Sequence, residues 1–326
     1  MKEEIGTVEK VSLTVLVDNK ADLIVESNEN VKYFTEKPLL AEHGFSVLIQ
    51  INDLEEKILW DAGVSKQTLI ENMHRMELNP QTISMIALSH GHSDHYAGMT
   101  MILDEMNLLP EAKEWDGKVS QEDVENFLKK NQIPIVSHPA AYRERWWKKD
   151  DGTLVGPLNS TPRKEWEAAG AKITTSIKPY KLVDGCWTTG YVPRVSFEKS
   201  GRPKQLLYRE GSDFLRDDLD EDQAIVINVE DKGLVILSGC AHSGIVNTIE
   251  HAKAFTGINK IYAVIGGFHL ARAKDEEITK TIEYLKNEKP MYVVPSHCSG
   301  FQAISRFAQE MPDEFIEGVV GITYIL

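Results

Sequence analysis

The stretch "ALSHGHSDHYAG", Ala87 to Gly98, sets three histidines and one aspartate between His90 and His95. A lone histidine is an ordinary core or surface residue, but four ligand-type side chains in a single turn have no such everyday use. The preceding run "SMIAL", Ser84 to Leu88, is apolar and of strand length. It follows a helix-like segment, "KQTLIENMHRM", closed by the breaker pair Asn79 and Pro80. The cluster is therefore expected where a buried strand emerges into a loop. Gly91 and Ser93 are small, so the backbone can turn tightly while His90, His92, Asp94 and His95 converge on one point. Neutral imidazole nitrogens and carboxylates bind Zn²⁺ and similar divalent ions at roughly 2.0–2.2 Å. Two ions close together would account for so many donors.

The C-terminal half repeats one placement three times. His242 lies in "VILSGCAHSG", His269 in "YAVIGGFHLA" and His297 in "MYVVPSHCSG", each after an apolar strand-like run. Three such repeats put three imidazoles along the same edge of a sheet, where folds of this kind carry function. His74 and His251 fall within helix-like segments and read as structural or surface residues. His138 in "IVSHPAA" and His43 in "EHGFS" are weaker candidates for the site.

His90-Gly-His92-Ser-Asp94-His95 after an apolar strand resembles the HxHxDH signature of the metallo-β-lactamase superfamily. The resemblance implies an α/β fold, a four-layer αββα sandwich, and a dinuclear divalent-metal site. The segments "VDN", "EHGFSVLI", "ILWDAG", "TTGYVPR", "DEDQAIVIN", "SGCAHSGIVNT", "GGFHL" and "PSHCSG" are similar to the dihydropterin-related branch. That likeness runs over almost the whole chain and is thinnest at 111–131 and 142–170. The diiron flavoprotein branch carries a glutamate where this chain has His92, which argues against a redox role. Two departures matter. The turn where the superfamily often has a TPGHT-like histidine reads "TTGYVPR", and the aspartate of a "GD" turn is replaced in Gly239-Cys240.

The ligand set implied is His90, His92, Asp94, His95, His242 and His297, with Cys240 the second candidate for the place given to His242. Zinc is the first expectation for the metal, with Mn, Fe or Mg as alternatives. Asp61 in "WDAG" is placed to orient a ligand histidine through its second nitrogen. Asp94 and His269 are the catalytic candidates, and Arg194 and His269 the candidates for contact with an anionic group or leaving group. The chemistry expected first is metal-assisted hydrolysis of a small phosphate- or carboxylate-bearing metabolite. A dihydropterin-handling synthase and a non-catalytic metal-binding scaffold are the alternatives.

Composition narrows the partners. With 36 basic against 50 acidic residues the formal charge is −14, which disfavours binding nucleic acid along a broad surface. A small anion can still be drawn to a metal pair. Three cysteines, Cys186, Cys240 and Cys298, are too few for a disulfide framework and suit a reducing compartment. No run has the length of a signal-peptide core or of a membrane span. A soluble cytoplasmic enzyme, with a homo-oligomer allowed, is the expectation.

The whole chain, 1–326, is expected to form one domain with helical insertions near 111–131 and 142–170. The first is a candidate lid. In the second, "AAYRERWWKKDDG" reads as an amphipathic helix with Trp146 or Trp147 packed inward. The six acids between Asp213 and Asp222 read as a solvated loop. An aromatic substrate ring is expected to stack on Trp146, Trp147, Tyr191 or Phe268 at the mouth of the site.

Overall fold

The computed structural model describes residues 3–107, 120–121, 132–158, 160–199, 201 and 203–326. In chain order the first strands are β1 (Val11–Val17), β2 (Val31–Tyr33), β3 (Ser46–Ile51), β4 (Lys57–Trp60), β5 (Ile83–Ala87) and β6 (Ile133–Ser137). Next come β7 (Arg145–Lys148), β8 (Leu154–Val155), β9 (Ala171–Thr175), β10 (Tyr180–Val183), β11 (Cys186–Thr188), β12 (Leu206–Glu210) and β13 (Asp213–Arg216). The last are β14 (Ala224–Val229), β15 (Gly233–Ser238), β16 (Ile261–Gly267), β17 (Tyr292–Ser296) and β18 (Ile322–Ile325).

They assemble as an eight-stranded sheet of order β2-β18-β1-β3-β4-β5-β6-β9, a six-stranded sheet β10-β11-β14-β15-β16-β17, and a four-stranded sheet β13-β12-β7-β8. Alternation along the strands explains how the two larger sheets stack. Leu13 and Val15 of β1 and Val47 and Ile49 of β3 pack in one core cluster with Ile225 and Ile227 of β14 and Val235 and Leu237 of β15. The intervening residues face the other way. Val226, Leu234 and Ile236 pack with Ile249, Ile282 and Phe307 from the helices Ile245–Thr256, Asp275–Glu288 and Phe301–Glu310. Leu16, Leu48 and Leu59 pack with Met73, Ile102 and Trp166 from the helices Thr68–Arg75, Met99–Met106 and Arg163–Ala168. Helices, two sheets and helices again form the αββα sandwich. Strands buried on both faces read as continuous apolar runs, as "AIVINV" and "GLVILS" do.

The strands pair in parallel over β4-β5-β6-β9 in the first large sheet and β15-β16-β17 in the second. The segment at 142–170 differs from the helix expected of it: Arg145–Lys148 is strand β7, paired with β12 and β8. A short helix follows at Arg163–Ala168, with Trp166 fully buried against Tyr96 and Tyr142. The acidic run is also not simply solvated. Asp217, Glu221 and Asp222 are buried, because Arg145 pairs with Asp217 (2.9 Å) and with Glu221, and Ser243 N–H donates to Asp222 (2.7 Å). The insertion expected at 111–131 lies, except for residues 120 and 121, outside the described residues. Among the described residues no helix is long and apolar enough to cross a membrane.

Candidate metal centre

The carboxyl ends of the parallel strands meet at one edge of the sandwich, which is where α/β sheets present their side chains to ligands. From the first sheet, β4 leads to Asp61 and β5 runs into the loop of His90 to His95. From the second, β15 leads to Cys240 and His242, β16 to His269 and β17 to His297. Asp61, Ala241, His269 and His297 all adopt left-handed backbone with φ between 48° and 59°. Such strain is tolerated where surrounding contacts hold it, and here it gathers at one point.

Two groups of donors result. In the first, His90 Nε2 lies 3.1 Å from His92 Nδ1, and His242 joins them with its ring centroid 4.8 Å from each of theirs. In the second, His95 Nε2 lies 3.2 Å from His297 Nε2, and Asp94 Oδ2 is 3.7 Å from the former and 3.5 Å from the latter. Cys240 Sγ is 3.2 Å from His95 Nε2. Both candidates named from the sequence lie at the cluster: His242 groups with His90 and His92, and Cys240 with His90 and His95 and also with His242 and His269.

The hydrogen bonds behind the rings leave their inward nitrogens to accept a cation. His95 Nδ1–H donates to Asp61 Oδ2 at 2.6 Å, and Ser89 Oγ joins the same carboxylate (2.7 Å) to His90 Nδ1 (2.8 Å). His242 Nδ1–H donates to the Gly201 carbonyl at 3.0 Å, while its Nε2 is buried with no hydrogen-bond partner. A buried lone pair facing two other imidazoles is what a divalent ion would satisfy. The donor set therefore fits a metal, and its nitrogen-rich character suits zinc and its neighbours in the first transition row.

The titration behaviour follows from burial. Burial, with neighbouring imidazoles, lowers His90 and His242 well below the usual range, Arg145 adding to the effect at His90, and burial with Arg145 lowers His92 to about 4. Against burial, Asp61 and Asp94 raise His95 to about 9. Against burial, His95, His297 and His92 hold the Asp94 carboxyl far below its ordinary value.

His269 stands beside the first group, its ring 4.1 Å from that of His242, and its pKa is raised despite burial by Cys298 and the nearby carboxylates. His43 also joins the site, with Nε2 3.4 Å from Asp94 Oδ2 and its ring stacked 5.0 Å from that of His297. His138 does not: its Nδ1 accepts the Ala140 N–H and caps a short helical turn. His74 is exposed, and His251 Nε2 meets the Thr189 carbonyl. Arg194 lines the cleft beside His242, but its Nη2 donates to the carbonyls of Asp218 and Leu219. It anchors the acidic loop. Phe268 is buried against Phe307 and Trp146 is packed edge-on to Phe214, while Trp147 and Tyr191 are exposed.

Several residues that hold the site were not singled out from the sequence. Asp18 accepts the His297 N–H at 3.0 Å, and Asn19 pairs with both the His297 carbonyl and ring, so the "VDN" segment is a support for that histidine. Gln223 ties β14 to the metal loop, its backbone N–H on the Ser89 carbonyl and its amide on that of Leu88. Arg145 lies under Gly91, where any added Cβ would meet its Nη1 at 2.7 Å. The backbone carbonyl of Ala141 is closer still to that Cβ, so only a glycine fits there.

The profile of the metallo-beta-lactamase superfamily matches residues 40–297. The chain is 32% identical over 301 residues to the 7,8-dihydropterin-6-methyl-4-(beta-D-ribofuranosyl)-aminobenzene-5′-phosphate synthase of Methanocaldococcus jannaschii, covering 88% of this chain and 94% of the relative. It is 30% identical over 285 residues to an uncharacterized protein of the same organism, covering 87% and 94%. Among solved structures, a metal-dependent hydrolase of the beta-lactamase superfamily superposes with a TM-score of 0.70 at 19% identity, covering 96% of this chain and 98% of that one. Zinc-bound PqqB from Methylobacterium extorquens gives a TM-score of 0.52 at 13% identity over 97% and 100%. At these identities the structural likenesses speak to fold, whereas the profile and the near full-length relatives speak to descent. The chain is an enzyme of the metallo-beta-lactamase superfamily.

Proposed function

We propose that this enzyme is a metal-dependent transferase that joins the 6-methylene carbon of a dihydropterin to the nitrogen of a phosphate-bearing aromatic amine. What carries this reading is the 32% identity to a dihydropterin-related synthase, sustained over 88% of this chain and 94% of that one. Hydrolysis was the chemistry expected first from the sequence, and the full-length likeness moves it to second place. The observation that favours it is the nitrogen-and-carboxylate donor set, which equally suits water activation.

In this proposal His90, His92 and His242 hold one divalent ion and Asp94, His95 and His297 a second, with zinc the preferred metal. Ions bound there supply Lewis acidity toward substrate oxygens and lower the pKa of bound water. The chain's own groups do the rest. As the new C–N bond forms and the bond from carbon to its leaving group breaks, the amine loses a proton, and His269 beside the His242 ring, whose surroundings favour its protonated form, takes it. Asp61 keeps His95 in one tautomer throughout. The small anionic substrate, and a cytoplasmic setting for the unpaired Cys186, Cys240 and Cys298, belong to the same proposal.

The test is turnover in ¹⁸O-labelled water of metal-loaded protein with a 7,8-dihydropterin bearing a diphosphate on its 6-methylene group, together with 4-(β-D-ribofuranosyl)aminobenzene 5′-phosphate. Transfer yields the joined product and unlabelled diphosphate. Label in a pterin alcohol or in phosphate, with no joined product, would put hydrolysis in its place.

A further inference from the structure

A cavity of about 380 Å³ is lined by Phe197, Lys199, Arg272, Lys274, Glu276, Glu277 and Lys280. Four cations against two carboxylates give it a positive surplus, on a chain whose net charge is −14. The carboxylates are already engaged, Glu276 with Lys280 at 2.6 Å and Glu277 with the Lys199 backbone N–H at 2.9 Å. Lys280 also sits over the Phe197 ring, 5.9 Å from its centroid. By contrast the side chains of Lys199, Arg272 and Lys274 make no hydrogen bond or ion pair among the described residues. Lys199, Arg272 and Lys274 are exposed, and cations grouped around a concave surface set up a local positive potential that draws an anion.

The cavity and the cleft at the metal centre share a lining residue. Lys199 lines both the cavity and the narrow cleft that contains His242, Ser243 and Phe268. Arg272 follows His269 by three residues, so their Cα atoms are no more than about 11 Å apart. We propose that Lys199, Arg272 and Lys274 form a subsite for the phosphate monoester at the far end of the substrate, with Phe197 beneath its sugar, while the reacting end lies at the histidine cluster. The subsite rests on the proposed transferase reading for the identity of that substrate. Its recognition chemistry is a phosphate monoester on a pentose.

Calorimetric titration of ribose 5-phosphate, inorganic phosphate and ribose into chelator-treated protein tests the subsite without any contribution from metal. Ribose 5-phosphate should bind more tightly than inorganic phosphate, ribose should not bind detectably, and added salt should weaken the binding. The double variant Arg272→Ala/Lys274→Ala should lose at least about tenfold in affinity, whereas Lys10→Ala/Lys181→Ala, which makes the same change of charge elsewhere, should not. Equal binding by wild type and the Arg272/Lys274 variant, or no binding of ribose 5-phosphate to wild type, overturns the proposal. With metal-loaded enzyme, the Arg272/Lys274 variant should raise KM for the phosphorylated amine and leave that for its dephosphorylated form unchanged. If ribose 5-phosphate binds as expected and no transfer is ever observed, the subsite stands and the transferase reading falls.

Discussion

Asp61 does three jobs with one carboxylate: Oδ1 accepts the Ser89 N–H at 2.7 Å, and Oδ2 receives both the Ser89 hydroxyl at 2.7 Å and His95 Nδ1–H at 2.6 Å. It is fully buried and held at φ 59°, so its orientation is over-determined by the strand before it and the loop it binds. Asp61→Asn preserves the shape and replaces one acceptor oxygen with a donor that cannot receive the imidazole N–H. Loss of such outer support commonly costs 10–100-fold in metal affinity. Competition against a chromophoric chelator should show a loss of about that size, with the thermal transition retained. Unchanged affinity would mean that His95 is oriented by its packing alone. The sequence points to Asp61 because it closes an apolar strand, whereas Asp18, Asn19 and Gln223 act from segments remote from the histidines they steady; "VDN" and "DEDQAIVIN" carry the family likeness, but no local pattern gives these residues that role.

At the level of the element, the helix Ile245–Thr256 starts three residues after His242 and has a glycine, Gly244, at its N-cap. Glu198 replaces the missing cap from a distant loop, accepting the N–H groups of Val246 at 3.1 Å and Asn247 at 3.0 Å. Burial outweighs those bonds and raises its pKa from 4.5 to about 7. Because the folded-state value lies above the unfolded one, the favourable contribution is complete below about pH 4.5 and is lost as pH rises through about 7. The loss amounts to about 3 kcal/mol. Glu198→Gln removes that titration, so the melting temperature of the variant relative to wild type should climb between pH 5 and pH 8. A constant difference across that range would contradict the account.

Strands β14, β15, β16 and β17 are legible because burial on both faces demands nearly unbroken apolar runs. Strand β7 is not, since "RWWK" has neither clean alternation nor helical spacing. Its buried residue is Arg145, whose acidic partners lie 72 and 76 residues away.

Over the whole molecule, the sandwich brings the carboxyl ends of two separate parallel strand groups to one edge, so a loop near residue 90 and three loops beyond residue 240 complete a single cluster. Strand-end histidines made that convergence readable in advance. The basic cavity was not readable, because Lys199 and Arg272 come together only through folding and are outnumbered in a chain that is acidic overall. The central claim is that this cluster holds two divalent ions, with His242 completing the first position. Elemental analysis of protein purified without chelator and then supplied with Zn²⁺, Mn²⁺ or Fe²⁺ tests it most directly. The account predicts about two ions per chain in wild type, since six such donors exceed the needs of one tetrahedral zinc, falling to about one in His242→Ala. Fewer than one ion per wild-type chain, or a His242→Ala variant that keeps both ions while Cys240→Ser loses one, would contradict it.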